Sequence, residues 1–330
     1  MTRAGTGSSP DVEIAGSVVV VTGASSGIGR ATALELLRRG ARVIGVARDA
    51  DALAELSGHG LVPAPADTSD FAAVEAVAGD ATGRFGRIDA WVNCAGVVEF
   101  GAFLDVPLEE VRRVLDVDLM GYVHGCRAAL PGMMERDHGV IVNVSSILGL
   151  IALPYGAAYS MAKFAIRALG VSLRQELRTS GVRGVRVGTV LPAAIDTPIW
   201  RDAANRTGAR PRLAAPTYRP ERVARIIVNQ IRRPRREVVA GGVLARLLLL
   251  QHKVWPESAE RVFAAEVHRY VLARPGGPED DQGTLYAPPD RPRRVHDGWN
   301  GPGRERARRI AAGLGAATAL GAVVGRAVRR

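Results

Sequence analysis

From residue 17 onward, short runs of apolar, often β-branched residues alternate with longer stretches whose apolar positions recur every three or four residues. The first pattern marks strands buried on both faces, the second amphipathic helices. It predicts strands at 17–22, 41–47, 61–66, 88–93, 139–144, 184–191 and 237–240. Between them it predicts helices at 28–39, 50–56, 69–85, 107–134, 157–179 and 220–231, with Asp49 capping the second and Pro107 opening the fourth. Strands separated by such helices pair in parallel, through crossovers that cover both sheet faces. The expected fold is α/β, one doubly wound parallel sheet of about seven strands with helices on both faces.

The alternation stops after residue 240. Residues 242–254 and 258–272 predict two more helices, so one folded unit spans 13–272 with a helical extension from 242. Residues 1–12 are small and polar and are expected to be a disordered tail. Residues 273–305, rich in Pro, Gly and Arg, read as a linker. Residues 306–330 contain an uncharged stretch, 310–325, between arginines. As a helix that stretch would be about 24 Å long, short of the roughly 30 Å hydrocarbon core. Two readings stand for it: attachment to an anionic membrane surface through the flanking arginines, or packing on this protein or a partner subunit.

Composition narrows the function classes. With 47% apolar and 23% charged residues the chain is neither disordered nor fibrous. The net charge of +11 suggests nucleic acid, but residues 291–330 carry +8 of it, with ten arginines, and leave +3 for the first 290. The basic character therefore belongs to the tail, which holds no recognisable nucleic-acid module. Two cysteines, Cys94 and Cys126, make no disulfide framework and point to a reducing compartment, hence to the cytoplasm. No Cys/His cluster has metal-ligand spacing, and no metal is expected. Only two lysines, Lys163 and Lys253, stand against 42 arginines, so a lysine in a motif carries weight.

The chemistry-bearing motifs lie at strand ends. Gly23, Ser25, Ser26, Gly27, Ile28 and Gly29 form a glycine-rich turn between the first strand and the first helix. There small residues let backbone N–H groups and a helix N-terminus approach a pyrophosphate. Asn93-Cys94-Ala95-Gly96 ends the fourth strand and Ser145-Ser146 the fifth. Tyr159 and Lys163 open the next long helix, four residues apart on one face. Chance would supply about 0.04 such Tyr/Lys pairs in a chain of this composition. Pro192, Ile195 and Thr197 follow the sixth strand.

In this order and spacing, over residues 14–240, the motifs resemble those of the short-chain dehydrogenase/reductase family, whose sheet is Rossmann-like. Three positions depart from its pattern: Cys94 where it has a second Asn, Ala193 where it has Gly, and Asp118 where it has Asn. The resemblance implies an oxidoreductase that moves hydride between a nicotinamide and a ketone or secondary alcohol. It implies that Tyr159 is the acid/base, that Lys163 holds the nicotinamide ribose and that Ser146 orients the substrate oxygen. A neighbouring ammonium is expected to lower the phenol's pKa. Asp118, in Val117-Asp118-Leu119-Met120-Gly121, would take the Asn role in a proton relay or pair with Lys163.

Cofactor choice rests on the end of the second strand. Ala47 stands where NAD enzymes of this fold place an acid, and Arg48 follows, suited to a 2′-phosphate. NADP(H) is therefore favoured over NAD(H). Asp67 and Thr68, after the third strand, are expected at the adenine, and Asn93, Ala95 and Gly96 along the cofactor.

The substrate pocket should draw on Val97, Val98, Ile147, Leu153, Tyr155 and the 193–218 loop with Trp200, which suits an apolar small molecule. Family members commonly pair through the helices at 107–134 and 157–179, so a homo-oligomer is expected. A second reading, resting on Asp118, is an NADP-binding regulatory protein with weakened catalysis.

Overall fold

The computed structural model describes residues 13–209, 213, 216–271, 276–277 and 280–299. The chain opens with β1 (Val18–Thr22), α1 (Gly27–Arg38), β2 (Arg42–Ala47), α2 (Ala50–Ser57), β3 (Val62–Pro65), α3 (Phe71–Phe85) and β4 (Ala90–Asn93). A two-residue strand β5 (Glu99–Phe100) precedes α4 (Leu108–Leu115), and α5 (Gly121–Glu135) follows it. Then come β6 (Gly139–Val144), α6 (Ala157–Thr179), β7 (Val185–Pro192), β8 (Ala204–Asn205), α7 (Pro220–Arg232), β9 (Glu237–Ala240), α8 (Val243–Val254) and α9 (Pro256–Glu266).

Seven strands pair in parallel in the order β3-β2-β1-β4-β6-β7-β9. Every residue of β1, β4 and β6 is buried, which is why these strands read as mostly apolar runs, interrupted in β6 by Asn143. One apolar layer, with Leu36, Val43 and Ile227, lies on one face of the sheet; the other, with Trp91, Met133 and Ile141, lies on the opposite face. Strand order reverses between β1 and β4, and ligands of such sheets bind in the crevice above that point.

Three local features depart from the periodicity. The helix expected over 107–134 is broken by a π-turn, Asp116–Met120, that separates α4 from α5 and contains Asp118. Such bulges concentrate at functional sites. Strands β5 and β8 pair with each other, Glu99 with Ala204 and Phe100 with Asn205, and two-residue strands are too short to leave a periodic signal. The helix expected at 258–272 begins at Pro256 and ends in a π-turn, Val267–Val271.

Residues 280–299, inside the stretch expected to be a linker, run without helix and are bonded along their length to the sheet domain. No helix among the described residues is long and apolar enough to cross a membrane. The tails expected at 1–12 and 306–330 lie outside the described residues.

Candidate active site

The glycine turn is shaped by contact with the neighbouring strand end. Gly23 takes φ +69°, and a Cβ there would sit 2.9 Å from Ala95. A Cβ on Gly29 would lie 2.1 Å from the Gly23 carbonyl oxygen. The first helical turn can therefore close onto the strand only without side chains at these two positions. The Thr22 hydroxyl accepts hydrogen bonds from the N–H groups of Cys94 (2.9 Å) and Ala95 (3.1 Å), locking the end of β4 to the turn. Thr197, in the loop after β7, packs against Gly27.

The reactive cluster is built on the first two turns of α6. Gly156 gives that helix no side-chain cap. Glu99 supplies the cap from β5: its Oε1 accepts from the N–H groups of Ala158 (2.7 Å) and Tyr159 (3.3 Å). Glu99 is 2% exposed, and its Oε2 is buried without a hydrogen-bond partner. Burial lifts this carboxyl to about 7, against the pull of the N–H groups it caps.

One helical turn beyond Tyr159, Lys163 lies with Nζ 2.8 Å from Asp118 Oδ2, both side chains buried. Nζ is also 5.0 Å from the Tyr159 ring centroid and 5.2 Å from that of Tyr122. Asp118 Oδ1 accepts from the Val97 N–H at 2.7 Å. Burial disfavours the Lys163 ammonium, but the Asp118 carboxylate more than restores it and holds its pKa above the ordinary lysine value. Burial in turn pushes the Asp118 carboxyl above the ordinary aspartate value, against the pull of Lys163 and of the Val97 N–H.

Tyr159 differs from the sequence expectation in its net shift. Burial raises the phenol above its ordinary value, and the opposing pull of Lys163 does not cancel it. The Ser146 hydroxyl pulls the phenol the other way and accepts from the Leu148 N–H at 3.0 Å. Ser145, in contrast, donates to the Lys163 carbonyl oxygen at 2.7 Å, so it fastens α6 to the end of β6.

Above the cluster an apolar wall includes Val97, Val98, Leu153 and Ala203, with Ile147, Tyr155 and Trp200 partly buried against it. The helical extension completes it through Val267 and Phe263. Tyr155 holds φ +64°, an uncommon conformation for a bulky residue, and its hydroxyl lies 3.3 Å from His268 Nδ1.

At the other end of the cleft, Arg48 donates to the carbonyl oxygens of Thr284 (2.6 Å) and Leu285 (2.9 Å). Among the described residues no carboxylate forms an ion pair with it. Asp49 caps α2 through Oδ1 and pairs through Oδ2 with Arg293 at 2.8 Å. Asp67 accepts from Ser69 and pairs with Arg113. Those Arg and N–H donors hold the Asp49 and Asp67 carboxyls below the usual aspartate range, outweighing the upward push of burial.

A single cleft brings together every expected catalytic and cofactor residue except Asn93 and Asp118; of the expected substrate-pocket residues, Val97 and Trp200 line it and Val98, Ile147, Leu153 and Tyr155 do not. Asp118 lies behind Lys163. Asn93 is fully buried in the sheet, where its amide donates to Asn143 Oδ1 (2.8 Å) and its oxygen accepts from the Trp91 indole (2.8 Å). The cleft also gathers Tyr122, Asp49, Thr284 and Arg293, which the sequence reading did not place there. Asp49 had a signal, being next to Arg48. Thr284 and Arg293 had none, in a segment composed like a linker and in a chain this rich in arginine.

Comparisons with known proteins agree with this geometry. The sequence profile described as short chain dehydrogenase matches residues 17–207. The chain is 33% identical over 278 residues to the uncharacterized oxidoreductase YxnA of Bacillus subtilis, covering 82% of this chain and 77% of that protein. Among solved structures, a short-chain dehydrogenase from Burkholderia cenocepacia in complex with NADP superposes with TM-score 0.65 at 26% identity, covering 76% of this chain and 99% of that one. A short-chain dehydrogenase/reductase from Burkholderia phymatum in complex with NAD gives TM-score 0.64 at 27% identity, covering 74% and 96%.

Proposed function

Because the chain belongs to the short-chain dehydrogenase family and is thus an NAD(P)-dependent oxidoreductase acting on a small molecule, we propose that it uses NADP(H) to interconvert an apolar ketone and its secondary alcohol, with Tyr159 as acid/base. The observation that carries this reading is the convergence of Ser146, Tyr159 and Lys163 under an apolar wall in one cleft with the glycine turn. The cleft fits a dinucleotide: its floor has no room for a Cβ at Gly23 or Gly29, and its far end carries the half-buried Arg48 guanidinium, which forms no ion pair with a carboxylate among the described residues.

When bound, the reduced nicotinamide supplies the hydride that reduces the carbonyl carbon. Ser146 then donates a hydrogen bond to the carbonyl oxygen and orients it. Tyr159 gives its phenolic proton to that oxygen as the alcohol forms and takes it back in the reverse direction. The Lys163 ammonium, one helical turn away, stabilises the phenolate left behind, which burial alone would disfavour. Asp118 keeps Lys163 charged and anchors the backbone at Val97, beside the apolar wall. Glu99 fixes the N-terminus of the helix that carries Tyr159.

The preference for NADP(H) rests on Arg48 at the end of β2, with Ala47 in place of an acid. Pairing of two chains through α4, α5 and α6 is supported by apolar side chains left exposed on α5, α6 and the π-turn: Met120, Met134, Met161 and Phe164.

Tyr159→Phe tests the core of the reading. Turnover with ketone substrates falls at least a thousandfold, while NADPH titration by fluorescence stays within a few-fold of wild type. Activity retained within a few-fold removes Tyr159 from the proton transfer.

A further inference from the structure

The C-terminal strap, residues 280–299, contributes Thr284 and Arg293 to the lining of the cleft and is held at both ends. At its start, Asn205 and Asp281 exchange backbone hydrogen bonds of 2.7 and 3.2 Å. The Leu285 side chain is fully buried in the apolar wall. Near its end, the Gly27 N–H donates to the Arg294 carbonyl oxygen at 3.0 Å and Arg30 donates to that of Arg293 at 3.1 Å. Asp196 then accepts from the N–H groups of Asp297 and Trp299. Backbone bonds on residues 293 and 294 thus fix where the Arg293 side chain enters the cleft.

That side chain is 10% exposed and lines the cleft. Its guanidinium pairs with Asp49 at 2.8 Å and lies 3.7 Å from Asp202. Asp49 directly follows Arg48, so the strap delivers a second guanidinium to the end of β2. Arg113 approaches the same place from α4, donating to Leu285 O, Ser69 Oγ and Asp67. Arg113 is neutralised by Asp67 and Arg293 by Asp49, whereas Arg48 donates to the carbonyl oxygens of Thr284 and Leu285 and forms no ion pair among the described residues. Burial and the charges of Arg113 and Arg293 press the Arg48 pKa down, against the opposing pull of Asp67. Like charges gathered in a half-buried place are stabilised by an anion among them, and planar forks suit phosphate.

We propose that Arg293 is a cofactor-specificity residue: carried in by the strap, it neutralises Asp49 and joins Arg48 in holding the 2′-phosphate of NADP(H). The inference rests on the NADP(H) reading above. Asp49 alone, one residue from Arg48, would repel a phosphate dianion; paired with Arg293 it instead orients a second phosphate donor. Because the strap is already pinned, little side-chain freedom remains to be lost on binding.

The test measures binding in the full chain, with no turnover needed. NADPH and NADH are titrated by fluorescence, and adenosine 2′,5′-bisphosphate against 5′-AMP by calorimetry. Arg293→Ala weakens NADPH and the bisphosphate at least tenfold and leaves NADH and 5′-AMP within twofold; Arg293→Lys falls between. Thermal melting confirms that each variant is folded.

Equal weakening of both cofactors overturns the proposal and makes Arg293 a clasp for the strap only. Tightening of both overturns it in the other direction, with the strap competing for the cleft. Recovery of wild-type NADPH affinity in the Asp49→Asn, Arg293→Ala double variant overturns direct phosphate contact. Arg48→Ala separates the two levels of argument. If it costs NADPH selectively and Arg293→Ala does not, the NADP(H) reading stands and this inference falls. If neither variant is selective, the NADP(H) reading itself falls.

Discussion

Two buried acids beside α6 do different work because their surroundings differ. Asp118 faces an ammonium and Glu99 faces two backbone N–H groups, so one is paired with charge and the other is not. Removing Asp118 leaves a buried, uncompensated lysine. Asp118→Ala is therefore expected to lower stability by about 3–5 kcal/mol in urea unfolding at neutral pH, with Asp118→Asn losing less because its one oxygen can still accept from either Lys163 or the Val97 N–H.

Glu99 predicts a pH dependence. Its folded value of about 7 lies above its ordinary 4.5, so between those values the folded chain holds a proton that the unfolded chain has released. Stability from this group is fully present below about 4.5 and is lost as pH rises to about 7. Glu99→Gln removes the titration. The melting temperature of Glu99→Gln relative to wild type should rise between pH 5 and pH 8, and a flat difference would show that Glu99 ionises without cost.

Among the elements, β4 is where motif and role separate. Asn93 belongs to the recognised strand-end motif, yet it spends its hydrogen bonds on Asn143 and Trp91 inside the sheet. Asn93→Ala is expected to destabilise the fold by about 1–3 kcal/mol through the buried polar atoms it orphans, while NADPH affinity stays within a few-fold. Gly29→Ala should do the reverse in binding. Its Cβ would meet the Gly23 carbonyl oxygen at 2.1 Å, so the turn must open. NADPH and NADH affinity should then fall together by more than tenfold in titrations.

The break in the 107–134 helix shows another limit of periodicity. A single π-turn leaves the apolar repeat nearly intact on either side, yet it marks the turn that carries Asp118 to Lys163.

On the scale of the whole molecule, the exposed Phe164 on α6, 42% accessible, tests the pairing of chains. Phe164→Glu should shift the light-scattering mass toward the monomer, and an unchanged mass would move the contact elsewhere. By itself the sequence determined the sheet and its parallel pairing, because strands and helices of ordinary length declare themselves through local periodicity. It also determined the Tyr159/Lys163 pair, because four residues on a helix are neighbours wherever that helix lies. Tertiary structure alone decided that Glu99 caps α6 from 60 positions away and that Asp118 is an ion-pair partner buried behind the cleft. It also decided that Thr284 and Arg293, from the 280–299 segment, line the end of the cleft beside β2. These contacts join segments distant in sequence, and composition alone cannot distinguish a pinned strap from a free linker: what fixes the strap is hydrogen bonds to groups that only the folded chain brings into reach.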